Sequence, residues 1–213
     1  MSKVQGVKEK LHSPLYDAFF VPEGTKFHKV MTDSRMIRFF VDVQNKTRLE
    51  TNLQASGVLP SLNTFEARAM RVVVSSLHRF DPKKSAKPEL KAELAAERNE
   101  AEILADLIYN SVTTLIVGEK IMIEMPTFFF PGGAGVISAA PTVSNHGEPD
   151  PMATFRFAEP VVIEPQQNFR VEMLFPQGVP GQAVPPEPSR LAGAEGPIRI
   201  WVVLDGYLTR DVQ

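Results

Sequence analysis

The 213-residue chain contains no cysteine. That excludes disulfides, thiolate metal ligands and a cysteine nucleophile, and it leaves the redox compartment open. Tryptophan occurs once, tyrosine three times and histidine four times. His12, His28, His78 and His146 never stand at an H-x-H or H-x-x-x-H spacing, so the paired-histidine metal site of a cupin-type enzyme is not expected. No G-x-S-x-G elbow marks a serine hydrolase. Net charge is nearly absent: 23 Lys and Arg against 25 Asp and Glu give −2. Such a balance carries no strong nucleic-acid signature and no pull toward an anionic membrane. No apolar run reaches the ~18 residues of a membrane span. The charged opening MSKVQGVKEK has no apolar run after it, so no signal peptide is expected.

What is present is apolar material cut into short pieces. Hydrophobic residues make up 43% of the chain, enough for a core, and 18 prolines sit mostly at the ends of apolar runs. That is the punctuation of short strands. The clearest one closes the chain, PIRIWVVLDGYLTR over 197–210. Ile198, Ile200, Val202 and Leu204 fall on one face, and Arg199, Trp201, Val203 and Asp205 on the other. Further strands are expected over 36–43, 65–77, 112–117, 120–125, 154–157, 161–163 and 168–175. Gly118-Glu119 reads as a tight hairpin or a kink in one long strand, Gln166-Gln167-Asn168 as a corner between strands, and Asp205-Gly206 as a bulge in the closing strand.

One stretch changes period. Over 88–109, PELKAELAAERNEAEILADLIY, Pro88 and Glu89 suit a first helical turn. Leu90, Leu94, Glu97, Ala101, Leu104 and Ile108 step along one helical face. Glu97 interrupts that face, which favours a surface helix inserted between two strands over a coiled coil.

The layout is therefore mainly β: an antiparallel two-sheet β-sandwich of jelly-roll type with one inserted α-helix. Residues 1–30 are expected as an extended N-terminal arm. Residues 31–213 form a single β-sandwich domain, with the helical insertion near 86–110 and a Pro/Gly-rich loop near 176–197. In the arm, Leu15, Tyr16, Phe19, Phe20 and Val21 lie between Pro14 and Pro22. So apolar a segment needs a partner surface, either its own body or a neighbouring subunit.

Three constellations have chemical alternatives. Pro131-Gly132-Gly133-Ala134-Gly135 lacks the lysine and the following helix of a phosphate loop, and reads as a flexible loop. His146, Glu148 and Asp150 place three donor side chains in five residues. Gly147 and Pro149 between them favour a surface turn over a metal site. Trp201, Tyr207 and the run Phe128 to Phe130 are candidate platforms for a ligand- or carbohydrate-binding module, although a lone Trp in an apolar strand is more often core. No catalytic, metal or cofactor site is expected from these residues.

The order of features resembles the jelly-roll coat proteins of icosahedral bacterial viruses. The likeness rests on the aromatic arm LYDAFFVP, a β-rich body and the loop FFFPGGAGV. It extends to the corner and strand EPQQNFRVEMLFP and the terminal strand IRIWVVLDGYLTRDVQ. It covers most of the chain and is one of layout. It implies a non-catalytic capsid or coat subunit that assembles with copies of itself, and with other structural proteins, in a virion.

Overall fold

A computed structural model of the chain describes residues 8–25, 27–30, 36–76, 107–130, 154–176 and 197–211. Their strands are β1 (Lys8–His12), β2 (Leu15–Val21), β3 (Met36–Phe39), β4 (Thr64–Ser76), β5 (Val112–Val117), β6 (Lys120–Pro126), β7 (Phe155–Ile163), β8 (Phe169–Leu174) and β9 (Ile198–Asp211). A one-turn helix, α1 (Phe27–Val30), follows β2. All pairings are antiparallel.

The connectivity is that of one long hairpin rolled up. β2 pairs with β9, β3 with β8, β4 with β7 and β5 with β6, each pair nested inside the one before. Rolling brings β9 against β4 and β8 against β5. The result is a five-stranded sheet of order β1-β9-β4-β7, with β2 beside β9, and a four-stranded sheet of order β3-β8-β5-β6. This is the eight-strand jelly roll, with β1 prolonging the first strand.

Alternation explains why these residues make these layers. The β9 residues Ile198, Ile200, Val202 and Leu204 point inward and are each at most 4% exposed. They meet Phe65, Met70 and Val72 of β4, and across the sandwich Ile37, Phe39, Leu115, Val171 and Met173. Burying one such side chain contributes about 1.5–3 kcal/mol.

Residues 8–21, expected in an arm, belong to this sheet rather than standing apart from the body. Leu15 to Val21 lie opposite Leu204 to Ile198, residue by residue. β1 continues along the same edge of β9, from His12 opposite Tyr207 to Lys8 opposite Asp211. Pro14, with no N–H to donate, sits at the joint between β1 and β2.

Other boundaries also shift. β3 ends at Phe39, short of the expected Val43, because Phe40 takes a left-handed conformation (φ 68°). Two hydrogen bonds hold it there: its N–H donates to Asp17 Oδ2 at 2.7 Å, and its carbonyl accepts from Gly57 N at 2.6 Å. The two strands expected on either side of Ala158-Glu159-Pro160 are one, β7. Gly118 (φ 63°) makes the β5–β6 turn as expected. At the 164–168 corner Glu164 N donates to the Gln167 side-chain oxygen at 3.0 Å.

The bulge expected at Asp205-Gly206 lies on the neighbouring strand. β4 shifts register between Ala67 and Ala69, so Arg68 is the extra residue, opposite Gly206 and Asp205. A side chain at Gly206 would collide with the Glu66 carbonyl, which is why the facing residue is glycine.

Of the helix expected over 88–109, residues 107–109 are described and are helical. Leu107 is buried there, while Ile108, on the expected apolar face, is only partly covered. The rest of that helix, the loop 131–135, the group His146, Glu148 and Asp150, and residues 177–196 of the Pro/Gly-rich loop lie outside the described residues.

Candidate functional surfaces

Two surfaces stand out: the outer face of the five-stranded sheet, and an aromatic rim where the chain passes between sheets.

On the outer face, register fixes which side chains are neighbours. Tyr207 of β9 stands between His12 of β1 and Glu66 of β4. Asp205 shares a row with Ala69 and Arg156, and Val203 one with Tyr16 and Arg71. Trp201 lies between Ala18 and Val73, and Arg199 lies beside Phe20. Trp201 is thus on the outer face and half-buried, not in the core.

These rows are knitted by charge. Lys10 Nζ and an Arg68 nitrogen approach the two Glu66 oxygens at 2.6 and 2.5 Å. Lys10 first, then Arg68, hold the Glu66 carboxyl below its usual range. Both cations also lie 4.9 Å from the centre of the Tyr207 ring. His12 Nε2 sits 2.8 Å from Asp205 Oδ1, and Arg71 reaches the other Asp205 oxygen at 3.9 Å. Arg199 rests over the rings of Phe20 and Trp201, at 5.0 and 5.4 Å. The Nε atoms of Arg71 and Arg199 are buried without a hydrogen-bond partner among the described residues.

The loop after β3 folds over the β2 edge. Thr51 Oγ1 donates to the Tyr16 carbonyl at 3.1 Å, Tyr16 N donates to Asn52 Oδ1 at 3.0 Å, and Trp201 Nε1 donates to the Leu49 carbonyl at 3.1 Å. Beneath it Asp17 is fully buried, and Lys46 reaches both of its carboxylate oxygens at 2.9 Å. Burial pushes the Asp17 carboxyl up, against the opposing pull of Lys46 and the Phe40 N–H.

The aromatic rim is built around buried hydroxyls. Thr127 Oγ1 lies 2.7 Å from Ser111 Oγ and 2.8 Å from Thr113 Oγ1, and Ser111 Oγ donates to the Leu107 carbonyl at 2.8 Å. This fixes the helical end at 107–109 to the 3-10 turn Thr127–Phe129. Val72 N then donates to the Phe130 carbonyl at 2.8 Å, so the chain leaves the four-stranded sheet and joins β4.

Ring contacts run from solvent to core. Tyr109 lies 6.2 Å from Phe128, Phe128 stacks on Phe129 at 4.8 Å, and Phe129 meets Phe155 at 6.5 Å. Phe155 meets Phe130, which is fully buried. At the outer end Tyr109, Phe128 and Phe129 are 68%, 45% and 47% exposed.

The residues singled out in sequence are therefore scattered. Leu15 and Val21 are buried, Tyr16, Phe19 and Phe20 are half-buried, and all five belong to β2. Trp201 and Tyr207 share the outer face, whereas Phe128 and Phe129 are at the rim. Sequence reasoning missed the cations Lys10, Arg68, Arg71 and Arg199 as a group, because they come from three strands. Among the described residues no group of three or more His, Asp or Glu could hold a metal ion, and no helix is long and apolar enough to cross a membrane. A scan against protein-family models, a search of curated proteins and a search of solved structures each returned no match.

Proposed function

We propose that the chain is a structural subunit that assembles with copies of itself, a capsid or coat protein without catalytic activity, located in a virion. The observation that carries this reading is the rim. Tyr109, Phe128 and Phe129 form a stacked apolar patch at the surface, of the kind that marks an interaction site. The jelly roll supports it by analogy, since shells are one of the uses of that fold.

At the β2, β7 and β6 edges, contact through side chains suits this molecule better than strand addition. The β2 edge is overlaid by Thr51 and Asn52, and the β7 edge carries Pro160 between Arg156 and Val161. The β6 edge presents Lys120 and Glu124 and ends in Pro126. An apolar patch repeated by symmetry then supplies the contact. Leu15 to Val21 contribute from within, by securing the edge of the sheet.

The alternative, a carbohydrate-binding module, has less support. Tyr207 already has two cations over its ring, and Trp201 has its N–H committed and Arg199 on its face. Negative-stain micrographs of the purified chain decide between the two. Shells, tubes or sheets are expected; dispersed single particles at high concentration, together with hits on a glycan array, would replace assembly with sugar binding.

A further inference from the structure

We propose that the outer face of the five-stranded sheet binds single-stranded nucleic acid, its phosphates taken by Lys10, Arg68, Arg71, Arg156 and Arg199. This inference stands on charge placement and does not rest on the assembly reading.

The chain sums to −2, but the fold sorts that charge unevenly. On this face Glu66 serves both Lys10 and Arg68, and Asp205 serves both His12 and Arg71. Each carboxylate can cancel one charge, so Glu66 leaves one permanent cation in surplus and Asp205 balances Arg71. Arg156, exposed in the Asp205 row, and Arg199 add two more. Glu50, from the overlying loop, is the acid that faces Arg199. With Lys8 opposite Asp211 at the end of the same face, six permanent cations stand against four carboxylates, a surplus of two. The outer face of the other sheet is balanced: Arg38 and Arg170 both meet Glu172, with Glu124 two strands away.

Depth adds to the surplus. The Lys10 side chain is 48% exposed and the Arg68 side chain 53%, above a Glu66 that is 23% exposed. At Glu66 the cationic tips project while the carboxylate sits low, so an approaching phosphate meets Lys10 and Arg68 first, whereas Arg71 and Asp205 are equally exposed.

Aromatic rings interleave with these cations, which favours nucleic acid over an acidic polypeptide. Tyr207, Trp201 and Phe20 lie in the same face as Lys10, Arg68 and Arg199 and hold them in place through their π clouds. Sequence-tolerant single-strand binding combines cations for the backbone with planar groups on which bases stack, and here, with the ring faces taken by Arg68 and Arg199, the guanidinium planes are those groups. Arginine guanidinium planes laid on rings serve both purposes.

The test is fluorescence anisotropy of a labelled thirty-nucleotide oligothymidylate, titrated with the full-length chain over a range of salt. Affinity is expected to fall with salt, with a log–log slope of about −0.7 for each phosphate neutralised. Lys10→Glu with Arg68→Glu is expected to weaken binding at least ~10-fold and to flatten that slope. Both side chains are half exposed, and unchanged circular dichroism checks that the variant is folded. Arg38→Glu with Arg170→Glu, on the opposite sheet, is expected to leave affinity unchanged. The proposal is overturned if the first variant binds like the parent chain, if the second weakens binding as much, or if polyglutamate displaces the oligonucleotide at equal charge concentration.

Discussion

Lys46 Nζ lies 2.9 Å from both carboxylate oxygens of Asp17, in a site where the aspartate is wholly enclosed. The pair joins two elements far apart in sequence, β2 and the loop that overlies it. Phe40 N and Thr51 complete the shell around the carboxylate. Lys46→Met would leave a buried charge with half its partners, and a loss of about 3 kcal/mol at neutral pH is expected from urea denaturation. Lys46→Met at the stability of the parent chain would remove the clamp from this account.

The same aspartate sets a pH dependence of unusual sign. Burial raises its carboxyl above 3.8, so the folded state holds the proton more tightly than the unfolded state does. The stability it contributes is full below pH 3.8 and is lost as pH rises through the folded value. The stability of the parent chain minus that of Asp17→Asn should therefore fall with rising pH and then level off. A difference that grew with pH would contradict the burial argument.

Glu50 should behave in the opposite way. Its Oε2 accepts from Thr47 N at 2.9 Å and from Thr47 Oγ1 at 3.0 Å, which ties Glu50 back to the start of the turn that carries Leu49 over Trp201. The hydrogen bond from the Thr47 N–H, more than any other contact, holds this carboxyl below its ordinary value of 4.5. Its contribution is present above pH 4.5 and is lost as pH falls through the folded value. Glu50→Gln should cost about 0.5–1 kcal/mol at pH 7 and nothing at acid pH, measured by the same denaturation series.

Gly206 tests the bulge. Because a Cβ there would overlap the Glu66 carbonyl, Gly206→Ala must push β9 from β4 or undo the Arg68 bulge. A loss of about 1–3 kcal/mol is expected. Amide exchange along 64–69 should quicken in the same variant. A neutral substitution would mean that the two strands sit further apart than described.

Much of the fold was legible because period-two patterning carries it. The alternation Ile198, Ile200, Val202, Leu204 named the inner face of β9 without a structure, and proline fences gave the strand count its scale. The jelly roll followed from short strands and one helical interruption. Less legible was anything that depended on which strands meet. Leu15 to Val21 looked unattached because their partner lies near the other end of the chain, at 198–204. Phe40 ended β3 early through bonds to Asp17 and Gly57, which no local pattern announces. Trp201 read as core because its strand is apolar, yet the outer face is covered there by a loop that spacing does not reveal. Summed charge concealed the cations of β1, β4 and β9 for the same reason.

The rim remains the point on which assembly turns, and its rings are separable from the core. Phe128 and Phe129 project from a turn anchored by Thr127, so Phe128→Ser with Phe129→Ser removes the patch while the hydroxyl network and Phe130 stay in place. Sedimentation velocity of the parent chain and this variant, at matched concentration, tests the claim most directly. The parent chain should sediment as a multi-subunit species and the variant as a folded monomer of 23.6 kDa. A parent chain that sediments as a monomer at every concentration, or a variant that assembles as well as the parent, would contradict it.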